Sequence, residues 1–293
     1  MSVSQMFEEF CCALPLSQAQ RSSISSRTAT ITRRLNSDFR ATASDTANRF
    51  YAGSYGRNTA LASTSDIDLM YVLPYAVYLQ YDAYANNKQS ALLQAVRASL
   101  NLTYPDSAVV ADGQIVKIGF VDNIVYEIVP VFANKDESYT FPDSNNGGSW
   151  RTCKPKHEIN AFFKRDTESN GNLVVLGRMA RAWRDNNSVK MNGMLIDTLA
   201  YQFIAQWTNR DKSYLYYDYM TRDFFEFLGQ QDRSQDYWIA PGSNSRVGRI
   251  GSFELRAREA HAVALDAIAN LQAEQLWAAK NKFRQIYGTA FPN

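Results

Sequence analysis

Over residues 18–42 the apolar positions Ile24, Ile31, Leu35 and Phe39 fall at helical spacing, with Arg27, Arg33 and Arg34 between them. That pattern predicts an amphipathic helix. A short strand over 48–52 runs into Gly53, and the string Ser65-Asp66-Ile67-Asp68-Leu69-Met70-Tyr71-Val72-Leu73 reads as another. After Pro74 the segment 76–100 is polar and mixed, and Leu92, Leu93, Val96 and Leu100 mark a second helix. The character then changes. Val109-Val110, Ile115-Val116-Lys117-Ile118 and Ile124-Val125-Tyr126-Glu127-Ile128-Val129 are β-branched runs separated by the turn dipeptides Asp112-Gly113 and Asp122-Asn123, so a three-strand meander is expected.

Residues 133–156 break the pattern with Asn, Asp, Gly, Ser and Pro, and the domain boundary is expected there. From 157 onward the chain reads helical. Leu173, Leu176, Met179 and Trp183 make one stripe, and Leu195, Leu199 and Phe203 another. Leu265, Ile268, Leu271, Ala279, Phe283 and Ile286 define a long C-terminal helix ending near Gly288. The expected plan is α+β: residues 1–150 form a mixed-sheet domain with a long N-terminal helix, residues 151–293 form an all-helical domain, and an active site lies in a cleft facing both.

Composition narrows the class. At 293 residues and 45% hydrophobic, the chain is long and apolar enough for real cores. A net charge of only +2 excludes a strong whole-protein field for nucleic acid, while a local basic patch is still compatible with it. Cys11, Cys12 and Cys153 are too few for a disulfide framework. With His157 and His261 far apart they also make a poor zinc set. No apolar run reaches membrane-spanning length, and residues 1–20 carry Glu8 and Glu9 without the basic start of a signal peptide, so a cytoplasmic protein is expected.

The chemistry is concentrated around Asp66 and Asp68. On a strand both carboxylates face one way, roughly 7 Å apart. Such a pair needs a cation. Upstream, Gly53-Ser54 suits a phosphate-binding turn, where glycine lets backbone N–H groups approach an anion and Ser54 adds a hydroxyl. A phosphate turn followed by a divalent-metal site is the layout of a nucleotidyltransferase. Glu127, embedded in an apolar strand, is the candidate third ligand; a solvated Glu, or one paired with an arginine, is the plainer alternative. Two Mg²⁺ ions, with Mn²⁺ as the alternative, suit three such carboxylates. Arg57 either contacts phosphate or braces the turn. Arg178 and Arg181, beside Trp183, are candidates to clamp a triphosphate, against the alternative of a solvated helix face. The run Tyr214-Leu215-Tyr216-Tyr217-Asp218-Tyr219 offers helix packing and, at one tyrosine, a stacking surface for a base.

These residues resemble the DNA polymerase beta-like nucleotidyltransferase superfamily, whose pattern is Gly-Ser, a spacer, Asp-x-Asp and a distant third acid. More closely, the chain is similar to the bacterial cyclic-oligonucleotide synthases, relatives of animal cyclic GMP-AMP synthase and oligoadenylate synthase. The resemblance runs through Gly53–Thr59, Ser65–Asp68, Tyr126-Glu127-Ile128-Val129-Pro130-Val131, Gly177–Trp183 and Trp238–Ser243. It departs where the third acid is Glu127, where Arg181 stands for a lysine, and where Asn192-Gly193 replaces a phosphate-holding serine. The resemblance implies that nucleoside triphosphates, ATP and GTP foremost, are condensed with release of pyrophosphate into a cyclic di- or trinucleotide for anti-phage signalling. The resemblance also implies that a separate effector reads the product and does not bind the enzyme. There is no Cys/His counterpart of a zinc insertion, so zinc-dependent sensing of double-stranded DNA is not expected. The rival is nucleotidyl transfer to an RNA, a protein or a small molecule.

Overall fold

The computed structural model describes residues 2–63 and 66–293. Ser65, which opens the expected strand, lies outside the described residues. The contacts divide the chain into two compact units: one of Met1–Pro15, Arg57–Ala62 and Asn160–Asn293, the other of Leu16–Gly56 and Ser63–Ile159. The expected division at 150 was linear along the sequence, whereas these units are interleaved in it. The first helix, α1 (Val3–Ala13), drew no expectation from the sequence. Ser2 and Gln5 close a capping box at its start, and Met6, Phe7 and Phe10 bury its inner face among residues of the helical unit.

In the mixed unit, α2 (Gln18–Arg40) matches the amphipathic stripe and starts at a second capping box made by Ser17 and Gln20. It is followed by β1 (Arg49–Tyr51), the single turn α3 (Gly53–Gly56), β2 (Asp66–Val72), α4 (Tyr75–Asp82) and α5 (Lys88–Asn101). Then come β3 (Val109–Asp112), β4 (Ile115–Gly119) and β5 (Val125–Ala133), the expected meander, with Gly113 and Asn123 at positive φ in its two turns. The segment expected to be irregular instead holds a further hairpin, β6 (Tyr139–Asp143) and β7 (Ser149–Cys153). The Asn, Asp and Gly residues that looked like a linker make its turn.

The sheet runs β1-β2-β5-β4-β3, with β6 on the C-terminal end of β5 and β7 beside it. Among the described residues, β2 and β5 alone pair in parallel. One face is apolar: Ile67, Leu69, Tyr126, Ile128, Val116 and Ile118 are buried. Tyr126 fixes α2 there, its hydroxyl donating to the Ile24 carbonyl at 2.6 Å and meeting Thr28 at 3.1 Å.

The helical unit takes α6 (Pro155–Glu168) from Asn160 onward, then α7 (Asn172–Asn186), α8 (Gly193–Gln206) and α9 (Tyr217–Gly229). A small hairpin, β8 (Tyr237–Ile239) and β9 (Arg246–Gly248), precedes α10 (Glu254–Gln272) and α11 (Leu276–Tyr287). Its core is aromatic, with Trp183, Phe224, Phe225, Phe253, Phe283 and Phe291 essentially buried. The single long C-terminal helix of the sequence reading is two helices. Glu274 takes a left-handed φ of 58° and stops α10, a break that the continuous apolar period did not reveal.

Candidate active site

The acid pair lies where β2 leaves the described chain. Burial alternates along β2, so Ile67 and Leu69 turn inward while Asp66 and Asp68 share the opposite face. The parallel register sets Asp68 directly beside Glu127 on β5 and Asp66 beside Val125. Partners across a sheet point to the same side. The third carboxylate therefore stands in one row with the first two, as the alternation around Glu127 implied.

A fourth member of the row was not anticipated. The antiparallel register of β4 places Lys117 opposite Glu127, and Lys117 Nζ lies 2.9 Å from Glu127 Oε1. The hydrogen bond to Glu127, the charge of Glu127 and the more distant charges of Asp112 and Asp66 raise the lysine pKa above its ordinary value. Glu127 is thus a paired carboxylate, although with a lysine where the alternative reading named an arginine. The signal was present: Lys117 interrupts Val116 and Ile118 with period two, which puts it on the polar face of a strand one turn from Glu127.

Gly53 belongs to the same site. Its φ is +56°, and a Cβ built there would sit 1.7 Å from Asp68 Oδ2. No side chain fits against that carboxylate, so the backbone at Gly53 and the Asp68 side chain are pressed together. The Ala52 N–H donates to the Asp68 carbonyl at 2.9 Å, fixing the turn to the strand. Ser54 follows, half-buried, in α3.

Three carboxylates on one face are hard oxygen donors of the kind that Mg²⁺ or Mn²⁺ takes, so the donor set fits such an ion. Among the described residues no three His, Cys, Asp or Glu side chains are gathered as a ready cluster.

In the helical unit the arginines read differently from the sequence. Asp197 on α8 is fully buried and binds two of them. Arg181 donates from Nη1 to Asp197 Oδ1 at 2.6 Å and from Nη2 to Oδ2 at 2.8 Å, and its remaining reach is taken by the Gly177 and Gly193 carbonyls, both at 3.0 Å. Arg57 Nε donates to Asp197 Oδ2 at 2.7 Å, with Thr59 Oγ1 at 3.3 Å from the same oxygen. Burial alone would raise the Asp197 carboxyl; Arg181 and Arg57 overcome it and hold the pKa below the ordinary range. Arg181 and Arg57 are each at most 5% exposed. Arg181, expected to clamp a triphosphate, and Arg57, expected either to contact phosphate or to brace the turn, are thus both members of a buried ion cluster on Asp197. Asp197 was missed, yet an acid inside the Leu195–Leu199 stripe demands a partner by the logic applied to Glu127.

Asn192, expected at a nucleotide, is the N-cap of α8: its side-chain oxygen accepts from the Leu195 N–H at 2.7 Å. Arg178 is half-buried and donates from Nε to the Asn58 carbonyl at 3.0 Å. Of the tyrosine run, Tyr217 is buried with its hydroxyl on Asn172, and Tyr214, Tyr216 and Tyr219 pack partly buried against the helical core.

An α+β chain with a mixed sheet that carries its acids on adjacent parallel strands, followed by helices, has the polymerase-beta-like nucleotidyltransferase fold. The model of the Second Messenger Oligonucleotide or Dinucleotide Synthetase domain matches residues 1–166, and the chain belongs to that family. It is a nucleotidyltransferase of the kind that makes oligonucleotide second messengers. None of the curated proteins matches the chain. Solved structures with the same fold include CdnC of E. coli MS115-1 in a complex with HORMA-deltaN (TM-score 0.70, 15% identity, 99% of this chain and 98% of that one). They also include the Vibrio cholerae DncV cyclic AMP-GMP synthase with nonhydrolyzable GTP (0.70, 13%, 96% and 93%). A third is the Bradyrhizobium diazoefficiens CD-NTase CdnG with GTP (0.69, 13%, 98% and 95%). Among the described residues no helix is long and apolar enough to cross a membrane.

Proposed function

We propose that this protein condenses nucleoside triphosphates, ATP and GTP, into a cyclic di- or trinucleotide in a metal-dependent reaction. The observation that carries the proposal is the row itself: Asp66 and Asp68 on one face of β2, Glu127 in register with Asp68 on β5, and Gly53 pressed against Asp68. The substrate choice is supported by the nucleotides in the related structures, GTP with CdnG and a nonhydrolyzable GTP with the cyclic AMP-GMP synthase DncV. A further structure of CdnC, at 14% identity, was solved with ATP.

Asp66, Asp68 and Glu127 would hold Mg²⁺. When bound, such ions neutralise charge on the α-phosphate and the leaving pyrophosphate and favour loss of the attacking hydroxyl proton. The chain's own part is positioning. Gly53 lets the backbone come close to the triphosphate and aims its N–H groups, and Ser54 adds a hydroxyl donor. Arg181, Arg57 and Asn192 act by holding the helical unit in shape. A ribose hydroxyl of one nucleotide attacks the α-phosphorus of the other in line, losing its proton as pyrophosphate leaves; the last such attack, on the remaining triphosphate of the linear intermediate, releases a further pyrophosphate and closes the ring. In line with the bacterial synthases that the sequence resembles, the product serves cytoplasmic anti-phage signalling through a separate effector.

The test is incubation of the purified chain with the four labelled nucleoside triphosphates and Mg²⁺, without any acceptor. A small phosphatase-resistant product identified by mass spectrometry is expected. A label that appears only on an added RNA, protein or small molecule would replace this reading with the rival one.

A further inference from the structure

A cation, Lys117, stands in the row of acids, and nothing in the reaction described so far uses it. Lys117 stands opposite Glu127 in the β4–β5 register, with Nζ 2.9 Å from Oε1. The pair is neither buried nor fully solvated: 41% of the lysine side chain and 25% of the glutamate side chain are exposed. An ion pair of that kind is weak and exchangeable. Lysine is also a compact charge on a flexible stem, without the fixed fork that keeps Arg181 on Asp197.

We propose that Lys117 is a resident counter-cation of the catalytic row. It holds Glu127 while the acids are without metal and yields the carboxylate when a divalent ion binds. The proposal rests on the metal reading above. Two physical costs motivate it. Asp66, Asp68 and Glu127 on one face repel one another, and a lysine ammonium offsets that repulsion in the metal-free protein. The same ammonium competes with an incoming ion for Glu127, so the site fills at higher metal concentration than three uncommitted carboxylates would allow. Lys117 is on this account a positioning residue, acting through Glu127 and not on the substrate.

The experiment is titration of Mn²⁺, followed by the paramagnetic resonance of the free ion, into the full chain without nucleotide. For Lys117→Met, the half-saturating Mn²⁺ concentration should fall about threefold to fivefold, the upper part of the range that an exchangeable ion pair can hold back. Lys117→Arg retains the charge and should remain within about twofold of wild type. In a Glu127→Gln background the Lys117→Met substitution should no longer change the half-saturation. Thermal melting in a chelator supplies a second readout: Lys117→Met melts below wild type there and regains the difference on adding Mn²⁺. An unchanged half-saturation in Lys117→Met overturns the proposal, and so does a gain that persists without Glu127, which would show a diffuse field effect and no displacement. Failure of wild type to take up any Mn²⁺ that is lost in Asp66→Asn/Asp68→Asn would overturn the metal reading itself, a result distinct from the other two.

Discussion

The row on the sheet and the cluster around Asp197 both bring aspartate or glutamate together with basic side chains, and they differ in access to water. On the sheet, Asp66 is exposed, Asp68 half-buried, and Glu127 is shared with a lysine that is itself partly solvated. In the helical unit, Asp197 is fully buried and every donor around it is fixed by a second bond or by packing. The first arrangement tolerates exchange of its partner and so suits chemistry. The second cannot release a charge without leaving it stranded, which suits architecture. Charge pairing by itself does not separate an active site from a strut; solvation and the number of bonds per group do.

The widest split between the clusters should come from removing acids. Asp66→Asn with Asp68→Asn is expected to lower turnover at least about a thousandfold, because the metal ligands carry the charge neutralisation. Its melting temperature should be equal to or above wild type, since like charges have been removed. Measuring product formation and a thermal melt on the same preparation tests both halves. Asp197→Ala should behave in the opposite way, with a stability loss of about 3–5 kcal/mol, because two buried guanidinium groups lose their counter-charge. Urea unfolding monitored by tryptophan fluorescence reads that loss. A small change there would mean that Arg57 and Arg181 reach solvent and that the buried-cluster reading is wrong.

A third acid sharpens the contrast because it is buried beside no strong partner. Asp218, at the start of α9, is 5% exposed and accepts the Tyr219 N–H at 2.8 Å. Arg222, the nearest opposing charge, is bonded to Asp223 at 2.7 Å. Burial pushes the Asp218 carboxyl up to about 6 despite the backbone hydrogen bonds. A carboxyl whose folded pKa exceeds its unfolded value binds more protons when folded, so its contribution is favourable at low pH and is lost as pH climbs from about 4 to 6. Asp218→Asn should therefore stabilise the protein by about 3 kcal/mol at pH 7, with the gain shrinking at pH 5. A constant difference across that range would show that the carboxyl titrates normally.

Much of this was legible in the sequence, for reasons that also explain what was not. Period-two alternation placed Asp66 and Asp68 on one face and Glu127 on the polar face of its strand, and the structure adds only the register that aligns them. Turn chemistry gave the meander, because Gly113 and Asn123 supply the positive φ it needs. The hairpin of β6 and β7 was hidden because its turn residues, Asn145, Asn146, Gly147 and Gly148, have the composition of a linker. Lys117 and Asp197 escaped notice because pairing across strands and helices is not periodic along the chain. The Asp197 partner of Arg181 was hidden for a related reason: a basic residue in a helix shows its spacing but not whether an acid from the next helix meets it.

The smallest effect falls at Asn192, where sequence and structure assign different work to one side chain. As the N-cap of α8 it satisfies an otherwise unpaired backbone donor, and Asn192→Ala should cost about 1 kcal/mol of stability. Asn192→Ser and Asn192→Asp should restore most of it, since either oxygen can cap the helix. Turnover and KM for the nucleotides should stay close to wild type in all three. If Asn192 instead touched phosphate, Asn192→Asp would set a carboxylate against an anion and raise KM while leaving stability intact. The aspartate variant thus separates the two roles with a single protein: a cap accepts the new charge at a helix N-terminus, where it is favourable, and a phosphate ligand does not.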